Sequence, residues 1–129
     1  MKFYSVSDIE SAFKAFVKDG GVTTTVYDAR PKSVVSGVSD FAVVRMTGKL
    51  EDMATFGETE VGVHLFAKDI QAFKNTEKLD LMHERLMAAV PAETEDLYID
   101  IHPFVLPDVA DDYGFHARII TFSVTIKNR

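Results

Sequence analysis

The sequence has no cysteine. That absence excludes disulfides, thiolate metal sites and cysteine nucleophiles together, and it fits a reducing compartment. No apolar run approaches the roughly 18 residues a membrane span needs. The opening, MKFYSVSDIE, holds no hydrophobic stretch of signal-peptide length. Both absences point to a protein made and kept in the cytoplasm. Clustered basic residues are missing as well. Lys and Arg are spread evenly over the two halves of a chain whose net charge is −6. Nucleic-acid binding draws on grouped cations that neutralise phosphates, so sequence-specific DNA or RNA recognition is not expected.

Signatures of chemistry are also lacking. There is no GxxxxGK[ST] phosphate loop, no GxGxxG after a strand, no GxSxG elbow and no HExxH pair. The four histidines, His64, His83, His102 and His116, match no common zinc spacing. Asp108, Asp111 and Asp112 resemble a calcium-loop fragment but lack the glycine and terminal glutamate of an EF-hand. Asp100 and His102, two apart on an expected strand, would share one face and are the best acid–base pair, with His116 as a third residue for an enzyme reading. One polar face of an amphipathic strand explains them equally. The expectation is therefore no enzyme, no metal and no cofactor.

What is present is a core-forming pattern. At 129 residues and 47% hydrophobic, the chain suits one domain, 1–129, with a core that needs no staples. Ser7-Asp8-Ile9-Glu10 reads as a capping box. Ile9, Ala12, Phe13, Phe16 and Val17 follow at helical spacing up to Gly20-Gly21, which predicts a helix over 8–19. Thr23 to Tyr27 is β-branched and aromatic, and Phe41 to Thr47 is an apolar run; both read as strands. Gly48 to Phe56 reads either as a hairpin arm or as an ordered loop. Thr59 to Ala67 alternates as a strand. Asn75-Thr76 caps a second helix whose buried face is Leu79, Met82, Leu86, Ala89 and Val90, ended by Pro91.

Leu97, Ile99 and Ile101 alternate with Tyr98, Asp100 and His102 in a strand closed by Pro103. Phe104 to Gly114 reads as a loop. Phe115 to Lys127 is a long last strand whose apolar phase shifts at Ile119-Ile120, which predicts a bulge or a change of buried face. The order α-β-β-β-α-β-β indicates an α+β fold, a mainly antiparallel sheet with two helices packed on one face.

The remaining information is in the surface. Phe66, Phe73, Phe104, Val105, Leu106 and Val109 fall in loops or on faces expected to be partly open, and small domains expose apolar patches mainly where partners cover them. Residues 93–112 carry seven acids and no Lys or Arg, which reads as a solvated acidic segment.

Three stretches together resemble a known family. They are SVSDIESAFKAFVKDGG running into TTTVYDARP; TEVGVHLFAKDIQAFKNTEKLDLMHERLMAAV; and LYIDIHPF followed by an acidic loop and FHARIITFSVTIK. In layout and hydrophobic pattern this resembles the tail-terminator or tail-completion proteins of long-tailed bacteriophages and prophages.

The resemblance implies a structural protein that forms a ring, typically hexameric, caps the tail tube, stops its polymerisation and meets the head connector. Assembly would take place in the bacterial cytoplasm and the product would reside in the virion tail. A heterologous contact repeated by rotation closes such a ring. An acidic lumen would let DNA slide, because negative walls make few phosphate contacts. Glu93, Glu95, Asp96, Asp108, Asp111 and Asp112 are then lumen or loop candidates. Phe56, Phe66, Phe73, Phe104, Leu106, Asp108, Asp111 and Asp112 are candidates for the oligomer or partner interface. Two alternatives stand beside this: a head–tail connector or adaptor, and a small cytoplasmic ligand-binding or regulatory domain.

Overall fold

A computed structural model describes residues 6–31, 37–47, 51–53 and 56–127. In it a helix α1 (Val6–Asp19) precedes a strand β1 (Val26–Tyr27), β2 (Asp40–Met46), β3 (Glu51–Met53) and β4 (Phe56–Lys68). A second helix α2 (Thr76–Ala89) leads to β5 (Leu97–Ile99), β6 (Phe104–Val105), β7 (Val109–Ala110) and β8 (Phe115–Ile126). The fold is α+β, as the pattern indicates. The sheet runs β1-β2-β4-β8-β5, with β3 on β4 and with β6 and β7 on β8. All the pairings are antiparallel except β1 with β2, which is parallel.

The first helix starts at Val6, so Ser7 lies inside it and the expected capping box does not form. Glu10 is used elsewhere: its carboxylate accepts a hydrogen bond from the Met46 amide at 2.8 Å, tying α1 to the end of β2. The C-terminal stop is as expected. Gly21 adopts φ +70, with Val22 N–H bonded to Val17 C=O and Gly21 N–H to Lys18 C=O. That is a Schellman arrangement, in which glycine takes the left-handed conformation without a Cβ penalty. Asn75 caps α2, its side chain accepting from Lys78 N–H at 3.1 Å.

Because side chains alternate along strands, the sheet has two faces and each holds a core. The helices cover one face. There Ile9, Phe13 and Val17 of α1 and Leu79, Met82 and Leu86 of α2 pack on Val61, Val63 and Leu65 of β4 and Ile120, Phe122 and Val124 of β8. The other face carries a smaller core of Phe41, Val43, Phe66, Phe115 and Ala117, with Tyr27, Val38 and Tyr113 against it.

The two cores explain the phase shift in the last strand. The register of β4 with β8 runs unbroken from Gly57↔Ile126 to Lys68↔Phe115, so no bulge interrupts it. Phe115 and Ala117 are buried on the open face, while Ile120, Phe122, Val124 and Ile126 are buried under the helices.

Three expectations are corrected by the backbone. Only Val26–Tyr27 of the threonine-rich stretch is strand, since Thr23 spends its hydroxyl on the Asp40 carboxylate at 2.6 Å. The strand at Leu97 ends at Ile99, leaving Ile101 exposed. Residues 104–114 are not simply a loop, because β6 and β7 both pair with β8. The ambiguous segment after Gly48 resolves in its described part as a hairpin, Glu51–Met53 on Phe56–Glu58.

Candidate functional site

The feature that stands out is the outer edge of the sheet. β8 is flanked on its outer side by β5, β6 and β7 in turn, so these three short segments form a broken edge strand. Along it Phe104 is 66% exposed and Val109 50%, with Ile101, Val105 and Leu106 also open. The register puts Phe104 opposite Thr121 and Val109 opposite Ala117. Leu106 N–H bonds to Ile119 C=O at 3.1 Å. Phe104, Leu106 and Val109 therefore lie on the sheet face away from the helices. Monomeric proteins seldom leave such an apolar row uncovered without a use for it.

Near the same end of the sheet a tight turn, Ile70 to Phe73, presents two more apolar side chains. Phe73 is 76% exposed and Ile70 is open too. The turn is closed by reciprocal backbone bonds of 2.9 Å, with Gln71 at φ 51 and Ala72 at φ 68. Two positive φ angles in succession are the pattern of a type I′ turn, usually given to Asn and Gly. Non-glycine residues there hold strain of order 1 kcal/mol each. No local sequence signal announced this turn.

Charges fasten the edge to the body. Between β6 and β7, Pro107 and Asp108 stand against the single residue Arg118, a two-for-one mismatch of the β-bulge kind. Asp108 clasps the guanidinium with both oxygens, Nε to Oδ1 at 2.8 Å and Nη2 to Oδ2 at 2.9 Å. Lys74 adds a bond to Oδ2 at 3.1 Å. The Asp108 side chain is only 8% exposed. The Arg118 hydrogen bond, with Lys74 helping against the opposing effect of burial, holds the Asp108 carboxyl below the ordinary carboxylate value. The remaining Arg118 nitrogen, Nη1, bonds to Asp80 of α2 at 2.8 Å and approaches His83 Nδ1 at 3.3 Å.

Asp111 plays a matching part for the second core. Its Oδ1 accepts the Tyr113 and Phe115 amides at 2.8 and 3.0 Å, shaping the turn into β8. Its Oδ2 accepts Arg30 Nε and Nη2 at 3.1 and 2.7 Å. The Arg30 guanidinium stands 4.9–5.7 Å from the rings of Tyr113, Phe41, Phe66 and Phe115, a cation–π cluster that lids the open-face core. Burial would raise the Asp111 carboxyl, but Arg30 and the two amides outweigh it and leave it below its ordinary value.

The sequence-derived candidates therefore divide. Phe104 and Leu106 share the outer edge, and Phe73 lies exposed on the nearby turn, joined to the edge through the neighbouring Lys74–Asp108 bond. Phe66 is a correction: it is buried, stacked on Phe41 at 4.5 Å with an interplanar angle of 7°, because the second core occupies its face. Asp108 and Asp111 are likewise internal anchors instead of open acids. Glu93 pairs with Lys127 at 2.7 Å. Asp112 and Glu95 are exposed. The Phe56 side chain lies outside the described residues. Arg30 and Arg118 were missed by sequence reasoning, since each finds its carboxylate only through tertiary contact.

Asp100 and His102 lie together, Oδ1 3.7 Å from Nδ1, with both side chains open to solvent, and His116 stands apart from them. The Asp100 carboxylate accepts the His102 amide at 2.9 Å in a local turn, while the Asp100 amide bonds to Ser123 C=O. His116 bonds instead to Asp69 at 2.6 Å. It lies seven residues from Ser123 along β8, a span of ~23 Å. Among the described residues no group of three His, Asp or Glu side chains is placed to hold a metal ion. One open pocket of about 300 Å³ lies at the start of α2, lined by Ser39, Lys68, Asp69, Ile70, Asn75 and Lys78. Five of its six lining residues carry a polar or charged group, although the surface they present to it is mostly apolar. Among the described residues no helix is long and apolar enough to cross a membrane.

No family model matches the sequence, and no curated protein is similar to it. Among solved structures, a chain of the virion of a native gene transfer agent particle has a similar fold. The match covers 98% of this chain and 100% of that one, with a TM-score of 0.58 and 12% sequence identity. At that identity the likeness is one of fold, and it extends from one end of both chains to the other.

Proposed function

We propose that this chain is a structural protein of virion assembly, a ring-forming tail terminator or tail-completion protein that caps the tail tube and joins it to the head. The observation that carries the reading is the end-to-end fold likeness to a virion chain. It meets a sequence whose layout resembles the terminator family. The apolar outer edge adds a surface suited to the purpose. Phe104, Leu106 and Val109 on that edge, with Phe73 beside it, form the contact between copies. A heterologous contact of this kind closes a ring when its rotation closes.

The pairing of acids within the chain favours such contact. Glu93, Asp108 and Asp111 are each matched by a cation of the same chain, so these three acids leave little local excess of negative charge beside the edge. Glu95 and Asp112 stay exposed and are the candidates for a wall past which DNA slides. Assembly takes place in the bacterial cytoplasm and the product resides in the tail.

Light scattering on a size-exclusion column, at several concentrations and with a polymerising tube protein added, tests the reading. The expected result is a closed ring, alone or on the tube end, and tubes that stop growing. A strict monomer that leaves tube length unchanged would refute it. A head–tail connector would bind the head-side partner without arresting the tube, which separates that alternative.

A further inference from the structure

We propose that Arg118, Asp108, Lys74, Asp80 and His83 form a proton-sensitive latch that sets the shape of the outer sheet edge, closed at neutral pH and loosened on acidification. The link to assembly rests on the proposed function; the latch itself rests on geometry. Arg118 projects from β8 onto the helix-covered face. It meets Asp108 from the β6–β7 connection and Asp80 and His83 from α2, while Lys74, from the turn preceding α2, holds the second Asp108 oxygen. Three pieces of chain thus meet at one guanidinium, and a fourth is fastened to them through Asp108.

The chemistry of one contact makes the latch sensitive to protons. A guanidinium nitrogen only donates. At 3.3 Å from Arg118 Nη1, the His83 Nδ1 must therefore accept, with the ring neutral and its hydrogen on Nε2. A proton on Nδ1 would set N–H against N–H and cation against cation. Burial holds the His83 imidazole below its ordinary value and Arg118 acts in the same direction, while Asp80 and Asp108 pull the other way. Further along the same face of β8, His116 is engaged by Asp69.

The closed latch is complete above the free imidazole value of about 6.5 and is lost as pH falls through the lower value held in the fold. What it releases is the Pro107–Asp108 excursion, and with it the placement of Leu106 and Val109.

Hydrogen exchange on monomeric protein between pH 7.5 and 5, corrected for intrinsic rate, tests this. The Leu106 amide, bonded to Ile119 C=O, reports the edge, and the Val63 amide within the β4 register reports the whole fold. Protection at Leu106 should fall by up to about tenfold per pH unit, the limit for uptake of one proton, while Val63 changes less. His83→Gln, which keeps an acceptor but does not titrate, should flatten the Leu106 response. Nitrogen-15 shifts of the wild-type His83 ring should report the Nε2–H tautomer, a readout that needs no variant.

A protonated or Nδ1–H ring at pH 7.5, or a Leu106 response that survives His83→Gln, would overturn the latch. Because these measurements are made on the monomer, they succeed or fail independently of ring formation.

Discussion

Replacing Phe104 by serine is the sharpest test of the edge as an assembly surface. The ring is 66% exposed in the isolated chain, so it contributes little to folding. A buried aromatic covers roughly 150–250 Å², which leaves ~130 Å² of Phe104 for a partner to cover. At about 25 cal/mol per Å² this is ~3 kcal/mol per contact. Fixing the side chain on binding costs ~0.5–1 kcal/mol, so the net loss on truncation is ~2–2.5 kcal/mol. That raises the dissociation constant of each contact about 30- to 70-fold. The fold itself should change by less than ~0.5 kcal/mol, as for other exposed substitutions.

Sedimentation velocity over a hundredfold range of concentration measures the first effect, and a urea melt measures the second. A variant that assembles at the wild-type concentration would refute the placing of the contact at β6–β7. A variant that loses assembly only because it has lost stability would refute the premise that Phe104 is held for a partner.

Three further outcomes follow from the packing and the titrating groups. Phe41→Ala removes a fully buried ring stacked on Phe66, edge-on to Phe115 and Tyr27, and lidded by Arg30; a loss of ~3–5 kcal/mol is expected in denaturant melts, and less than ~1 would show that the open face holds no true core. Burial, then Arg45, holds the His64 imidazole below its ordinary value, as burial and Arg118 do for His83, so both contribute stability that is full above about pH 6.5 and lost as pH falls through their folded values. Melting temperatures from pH 7.5 to 5 should therefore decline, and the decline should shrink in a variant carrying both His64→Gln and His83→Gln. Asn75→Ala removes the α2 cap and should cost ~1 kcal/mol in the same melts.

Much of the architecture was legible because it is written in local periodicity. The apolar spacing of Ile9, Phe13 and Val17, and of Leu79, Met82 and Leu86, can serve only a helix with one buried side, and both helices bury those residues. The shift at Ile119-Ile120 likewise announced that β8 buries different faces along its length. Local pattern misled where a side chain had a distant use. Glu10 looked like half of a capping box but spends its carboxylate on Met46. Ile101 continued an alternation after the strand had stopped.

The chain's own sequence determined the fold class, the helix stops and the run of apolar side chains at 104–109, since each depends on neighbours within a few residues. Tertiary structure alone decided which candidates stay open. Phe66 and Phe104 are the same residue type in strands of the same sheet, yet one is buried under Arg30 and the other faces outward. Asp111 meets an arginine 81 residues away, and Asp108 one that reaches it across the sheet edge. Those pairings are set by strand register and by which elements cover each face, and both emerge only when distant segments are brought together.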